Sequence, residues 1–388
     1  MVVDGTIGVT SLVEAMHLTI TRRSDPLELT GPVARLVYEC VRAIAALTGS
    51  VIDIVTAAAT PSLQGEDSSA GREAALAILN GVLGDYLADT GNPLAIEMRF
   101  RRNGQPLELE AQALAARVPD PKPKLLLLVH GLCLNDLQWA RHGDDRAAAL
   151  AAALGYTPVH LHYNSGLHVS TNGRRFSELT ETLIGQWPVP VEELSIVAHS
   201  MGGLVARSAY EHGSLAGCDW PHRLRKLLFL GTPHHGTPLE RVGNWIDAIL
   251  ETSAHSAPFA RLGKIRSAGI TDLRFGSTRE SDWRGRDRFD RHGDCRQPTP
   301  LPEHVQCYAI GAMAGTGEGI RDRLLGDGLV PLDSALGRHR DPSLALAFPE
   351  SRRWIGYGMS HLELLSRVEV DEQVANWLAS RAGETVPE

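Results

Sequence analysis

The sequence lacks several features that would point to familiar functions. Its 388 residues carry 38 Lys and Arg against 46 Asp and Glu, a formal net charge of −8. The basic excess of a nucleic-acid-binding face is therefore missing. There is no Cys-x-x-Cys pair. Cys40, Cys133, Cys218, Cys295 and Cys307 are scattered, which leaves a zinc ribbon or thioredoxin-like site without support. Buried free thiols in a reducing compartment are the expectation, with one disulfide in an exported protein as the other reading. A long uncharged apolar run is also lacking: the most apolar stretch, 41–59, contains Arg42, Gly49 and Asp53 and makes a poor membrane span. No basic start leads into an apolar segment at the N-terminus, where Asp4 and Glu14 precede the first basic residue, Arg22. A secretory signal is not expected, and a cytoplasmic location is.

What is present suits a packed protein. Hydrophobic residues make up 43% and charged residues 22%, values that exclude disorder and a disulfide miniprotein. At roughly 150 residues per domain the length allows two or three domains, or one large domain with additions. Residues 1–92 read as a helical N-terminal extension. Val33, Leu36, Val37, Cys40, Val41, Ile44 and Leu47 follow one helix face, a loop is expected over 60–71, and Leu76, Leu79, Leu83 and Leu87 place a helix over Arg72 to Ala88. No basic polar face accompanies these stripes, so packing on the chain is preferred over contact with a membrane surface.

From residue 93 the pattern changes. Ile96, Met98 and Phe100 alternate with charged residues, and Asn103-Gly104 offers a tight hairpin turn. Short apolar runs then recur at Leu125–Val129, Val159–Tyr163, Leu194–Ala198, Leu227–Leu230, Val305–Ile310 and Trp354–Tyr357, separated by helical stretches. Continuous apolar runs suit a parallel sheet covered on both faces, an α/β architecture spanning 93–388. The stretch 237–302 interrupts this rhythm and is expected to be an insertion covering the site. It carries an apolar set (Trp245, Ile246, Ile249, Leu250, Phe259) and a charge run from Arg279 to Arg291, read as a solvated loop.

The chemistry-bearing signal is Leu194-Ser195-Ile196-Val197-Ala198-His199-Ser200-Met201-Gly202-Gly203. A strand enters, a helix-compatible sequence leaves, and small residues stand two before and two after Ser200, as a sharp nucleophile-bearing turn requires. Ser200 at a helix N-terminus is a nucleophile whose oxyanion would meet the dipole. One strand unit earlier, Leu125–Val129 runs into His130-Gly131-Leu132, where the Leu132 amide pairs with that of Met201 as an oxyanion hole; His130 itself is read as structural. A serine needs a base and the base an orienting acid, in the chain order Ser, acid, His. Gly326-Asp327-Gly328 supplies Asp327 in a glycine-framed turn, with Asp333 as competitor. Ser360-His361 supplies His361 after the last strand, opening the C-terminal helix; His339, among charged residues with no preceding strand, is less suited. His160 and His162 share a strand face, but no convincing ligand set surrounds them, and no metal or cofactor is expected.

These blocks, together with Gly231-Thr232-Pro233-His234-His235-Gly236, resemble the α/β-hydrolase fold over residues 95 to 380, and within it the branch of GPI-inositol deacylase-like proteins and small bacterial lipases, whose elbow likewise begins with alanine. The resemblance implies a mostly parallel sheet with helices on both faces. It implies an esterase or lipase with Ser200 as nucleophile, His361 as base, Asp327 as orienter, and Leu132 and Met201 as oxyanion donors. His234 and His235 resemble the start of the segment leading to a lid and receive no catalytic role. The partner implied is a small-molecule or lipid ester. Acyl transfer, thioester or amide cleavage by the same residues, or a catalytically idle fold used for binding, are the alternatives. Neither the oligomeric state nor the purpose of residues 1–92 follows from the resemblance.

Overall fold

The computed structural model describes residues 70–139, 146–238, 266–287, 293–315 and 324–380. The chain divides into two compact units, Met1–Arg72 and Glu73–Glu388, and the sheet and its helices belong to the second. Residues 1–69, with Cys40 and the apolar stripe from Val33 to Leu47, lie outside the described residues, as does the apolar set Trp245 to Phe259.

Helix α1 spans Ala70–Asp89, within the stretch that the sequence set apart as an extension. Its buried positions include Ile78 and Val82, which join the same apolar cluster as Leu125, Leu127 and Leu132. Strands β1 (Arg99–Arg102) and β2 (Gln105–Pro106) form the expected hairpin. Asn103 at φ 51° and Gly104 at φ 73° make its turn, the left-handed pair that Asn-Gly tolerates. Ile96 is not in a strand. Its amide donates to Asn80 Oδ1 at 2.8 Å, so α1 takes the backbone bond that an alternating pattern assigned to the sheet.

Helix α2 (Ala111–Arg117) leads to β3 (Lys124–Val129), α3 (Arg146–Ala153), β4 (Tyr156–His162) and α4 (Val169–Gln186). Next come β5 (Glu193–His199), α5 (Met201–Ala216), the short α6 (Trp220–Arg223) and β6 (Leu224–Leu230). The chain closes with α7 (Ala268–Asp272), β7 (Gln306–Met313), α8 (Leu332–Ala335), β8 (Arg353–Tyr357) and α9 (Val368–Ala379). Among the described residues the eight strands form one sheet in the order β2-β1-β4-β3-β5-β6-β7-β8. It is parallel from β4 to β8, with β1 antiparallel to β4 and to β2. This order, reversing at β3 and β4 and then running outward, is the α/β-hydrolase fold, and the six apolar runs all became its strands.

The core lies on both faces, as parallel strands demand. Leu125, Leu127, Ile196 and Phe229 pack on one side with α4 and α5, while Leu126, Leu128, Val197 and Tyr308 pack on the other with Trp377 of α9. Lys226 Nζ donates to the carbonyls of Leu378 at 2.6 Å and Ser380 at 2.7 Å, satisfying the orphan acceptors at the end of α9. Among the described residues no helix is long and apolar enough to cross a membrane.

Two expectations need correction. The charge run from Arg279 is anchored in its described part. Asp282 is buried and accepts from the amides of Thr278, Arg279 and Gln297, and Arg279 pairs with Glu211 of α5 at 2.5 Å. Alternating charges here build a local network that a count of charges reads as a solvated loop. Of the four described cysteines, all free, Cys133 and Cys307 are buried, but Cys218 is half-buried and Cys295 is exposed.

Candidate active site

Strand β5 ends in a turn that puts Ser200 at φ 55°, ψ −128°. A side-chain-bearing residue rarely occupies this region, at a cost of about 1–3 kcal/mol, and surrounding bonds must hold it there. The Ser200 amide donates to the Leu230 carbonyl at 2.8 Å and its own carbonyl accepts from Gly203 N at 3.0 Å. The small residues that follow are required by contact. A Cβ on Gly202 would lie 2.5 Å from the His130 carbonyl oxygen, and one on Gly203 2.0 Å from Thr232 Oγ1. The turn is therefore wedged between the ends of β3 and β6.

Asp327 sits in its own glycine-framed turn, with Gly326 at φ 58° and Gly328 at φ 93°. One carboxylate oxygen, Oδ1, accepts from Leu329 N at 3.0 Å and Val330 N at 2.7 Å. The other, Oδ2, meets His361 Nδ1 at 2.7 Å. The His361 amide also donates to the Asp327 carbonyl at 3.1 Å, so main chain and side chain fix the same pair. A carboxylate can only accept, so Nδ1 carries the proton and Nε2 is the basic nitrogen of the ring. Both residues are buried.

The ring of His361 lies beside the end of β6: a Cβ on Gly231 would stand 3.2 Å from its Cε1 and Nδ1. Ser200 is bonded to Leu230, the preceding residue, so the Ser200 turn and the His361 imidazole converge on one strand end. The ring of His199 packs against that of His361 with centroids 4.7 Å apart. His361 does not open the last helix; it stands in a turn, and α9 begins at Val368. Asp333 occupies α8, with its side chain half exposed and paired with Arg338 at 3.3 Å.

Gly131 brings the third component. A Cβ there would lie 2.8 Å from Ser200 Cβ, so the Leu132 amide follows at the flank of Ser200. Met201 is the first residue of α5, where an amide has no acceptor within the helix. The loop after Leu132 is pinned. Cys133 stands at φ 58°, its amide donates to Ser165 Oγ at 3.1 Å, and the Gly81 face of α1 presses on it so closely that a Cβ would lie 2.3 Å from its Sγ. Burial pushes that thiol up to about 12, which makes it an inert packing group.

His130 is stacked on Tyr163 at 4.3 Å, with Nδ1 bonded at 2.9 Å to the Gly131 carbonyl. Burial lowers its pKa to about 3, so it is a neutral structural ring. His234 is buried, with Nδ1 3.5 Å from Arg207 Nη1, and burial and that charge hold its pKa well down. Burial likewise lowers His235 to about 4.

Two further carboxylate–imidazole pairs escaped the sequence. Asp136, in the loop after Leu132, meets His162 Nδ1 at 3.0 Å and Arg101 Nη1 at 3.2 Å, and Arg101 meets Glu73 of α1 at 2.9 Å. Burial alone would raise the Asp136 carboxyl, but the His162 hydrogen bond and the His162 and Arg101 charges outweigh it and hold its pKa at about 2. His162 is thus a member of a buried cluster with Asp136, Arg101 and Glu73. Asp272 at the end of α7 grips His168 Nδ1 at 3.1 Å and the Val169 amide at 2.8 Å, at the start of α4. No local motif marks either pair, because each partner arrives from a different element. Among the described residues no three His, Cys, Asp or Glu side chains are arranged to hold a metal ion.

Residues 97–266 match the model of a protein family described as a domain of unknown function, DUF7379. No curated protein matches. Among solved structures, the chain is similar to the mature lipase BlEst2 of Bacillus licheniformis, with 18% identity and TM-score 0.41 over 72% of this chain and 98% of that one. It is also similar to the lin2722 product of Listeria innocua, with 15% identity and TM-score 0.41 over 69% and 97%, and to the RedJ thioesterase of Streptomyces coelicolor, with 15% identity and TM-score 0.38 over 67% and 91%.

Proposed function

We propose that the protein is a serine hydrolase of carboxylic esters. The observation that carries this reading is the buried His361–Asp327 pair at 2.7 Å, set on the same strand end as the strained Ser200 turn. His361 Nε2 takes the Ser200 hydroxyl proton as Oγ attacks the ester carbonyl. The Leu132 and Met201 amides receive the oxyanion, and the protonated ring passes its proton to the departing alcohol. Water, deprotonated by the same ring, then releases the acid. Asp327 holds the tautomer and stabilises the imidazolium. Beyond the ester and water, every group named belongs to the chain, and the proton taken from each nucleophile leaves with a product or returns to Ser200.

The finer branch, that of small lipases and GPI-inositol deacylase-like proteins, draws support from the alanine-first elbow and the Gly231–Gly236 block. A fluorophosphonate probe tests the reading. Labelling of the wild type but not of Ser200→Ala is expected, and failure of the wild type to label refutes it. A series of p-nitrophenyl esters from acetate to palmitate, run beside the matching thioesters, reads out the acyl length and the bond preferred.

A further inference from the structure

His199, the residue before the nucleophile, is completely buried and takes no part in the proton transfers between Ser200, His361 and the leaving group. Three parts of the site nevertheless meet on its ring. Its Nε2 lies 3.1 Å from the backbone carbonyl oxygen of His361. Its ring packs against the His361 ring, with centroids 4.7 Å apart at a 44° tilt. On the other side, a Cβ on Gly131 would lie 3.2 Å from its Nδ1, so it underlies the strand end that carries the oxyanion loop. A carbonyl can only accept, so His199 Nε2 carries a proton and donates it.

We propose that His199 is a positioning residue whose Nε2–H tethers the main chain of His361 to the nucleophile turn. This rests on the ester-hydrolase reading. His361 is reached by a loop after the edge strand β8, far along the chain from Ser200. Its side chain is fixed to Asp327, but Asp327 belongs to a loop of its own beyond β7. The His199 bond ties that His–Asp unit to the strand bearing the serine. The tie also limits the tether chemically. The neighbouring ring becomes an imidazolium during catalysis, so a permanent cation at position 199 would oppose that charge. Histidine, with a directed donor and a flat face to pack on its neighbour, combines these properties.

The test compares three substitutions of His199. Glutamine extends an amide N–H to about the reach of Nε2; asparagine reaches only to about that of Nδ1; phenylalanine keeps the ring and loses both donors. With p-nitrophenyl butyrate, His199→Asn and His199→Phe are expected to lose about 10- to 100-fold in kcat, the scale of an ångström-sized misplacement. KM is expected to stay within about two-fold, and His199→Gln to recover most of the loss. Fluorophosphonate labelling of Ser200 is expected to slow in the same order. Wild-type kcat in either the asparagine or the phenylalanine variant, folded by near-ultraviolet circular dichroism, overturns the proposal, as does an equal loss in all three. The wild type and Ser200→Ala run alongside. Ser200-dependent labelling with no effect at position 199 refutes the tether alone, whereas an unlabelled wild type refutes the hydrolase reading and the tether with it.

Discussion

Two buried carboxylate–imidazole pairs lie at the carboxyl end of the sheet, Asp327–His361 at 2.7 Å and Asp136–His162 at 3.0 Å. As pairs they are nearly alike; their surroundings separate them. Asp136 shares its charge with Arg101, which is further bound by Glu73, so these contacts hold the loop after Leu132 to β1, β4 and α1. Asp327 is held instead by two backbone amides, which fix the carboxylate without adding a cation. The third pair, Asp272–His168, stacks its ring on Trp283 at 3.7 Å and ties α7 to α4. A buried Asp–His contact thus has no single setting: one of the three rings borders a strained serine turn, and the other two are closed by arginine or tryptophan.

The sharpest way to break this comparison is to remove each carboxylate and see which property falls. Asp327→Asn is expected to lower kcat by about 10⁴-fold, because the amide no longer selects the required tautomer. Asp333→Asn should stay within about two-fold, measured on the same ester. Near-wild-type activity in Asp327→Asn, or loss in Asp333→Asn instead, would assign the acid wrongly. Asp136→Leu is expected to act on stability, costing about 1–3 kcal/mol in urea unfolding because it takes a buried acceptor from His162 and Arg101, the latter keeping Glu73; an unchanged midpoint would contradict the clamp.

A pH series sharpens the contrast at smaller amplitude. The pKa values of His130 and His235 fall to about 3 and about 4 in the folded chain, from 6.5. Below pH 6.5 the unfolded chain therefore takes up protons that the folded chain refuses, and stability falls as pH falls. The melting temperature should decline between pH 7 and pH 5, and a flat profile would contradict neutral buried rings. Asp136 acts lower. Its folded pKa of about 2 lies below its ordinary 3.8, so its contribution, about 2 kcal/mol, is present above pH 4 and lost toward pH 2. The smallest effect is expected of Asp272→Asn, which keeps the Val169 bond but loses the charge at the start of α4. A cost near 1 kcal/mol with unchanged activity is expected from paired thermal and kinetic measurements.

Much of this was legible in the sequence where the determinant is local. Each apolar run became a strand, and the inner ones are apolar throughout because a parallel strand buried on both faces must be. Asn103-Gly104 formed its hairpin because the turn's backbone angles belong to those two residues. Ser200 and its glycines could be read because contacts at a sharp turn constrain its own neighbours. What escaped is long-range. Arg101 and His162 meet through the register of β1 on β4, Asp136 joins them from the loop after β3, and Asp272 reaches Val169 from 103 residues further along the chain. The stripe on α1 pointed to Leu76, Leu79, Leu83 and Leu87. The helix also seats Gly81 and Gly84 tightly, against Cys133 and Asn164, since close approach of backbones outweighs the burial of larger side chains there.

The most direct test of a serine-centred site is to trap its covalent intermediate. Acid-quenching the wild type during turnover of p-nitrophenyl butyrate, then digesting it for peptide mass spectrometry, should show one butyryl group on the peptide bearing Ser200, absent from Ser200→Ala. Ester turnover that leaves this peptide unmodified and continues in Ser200→Ala would contradict it.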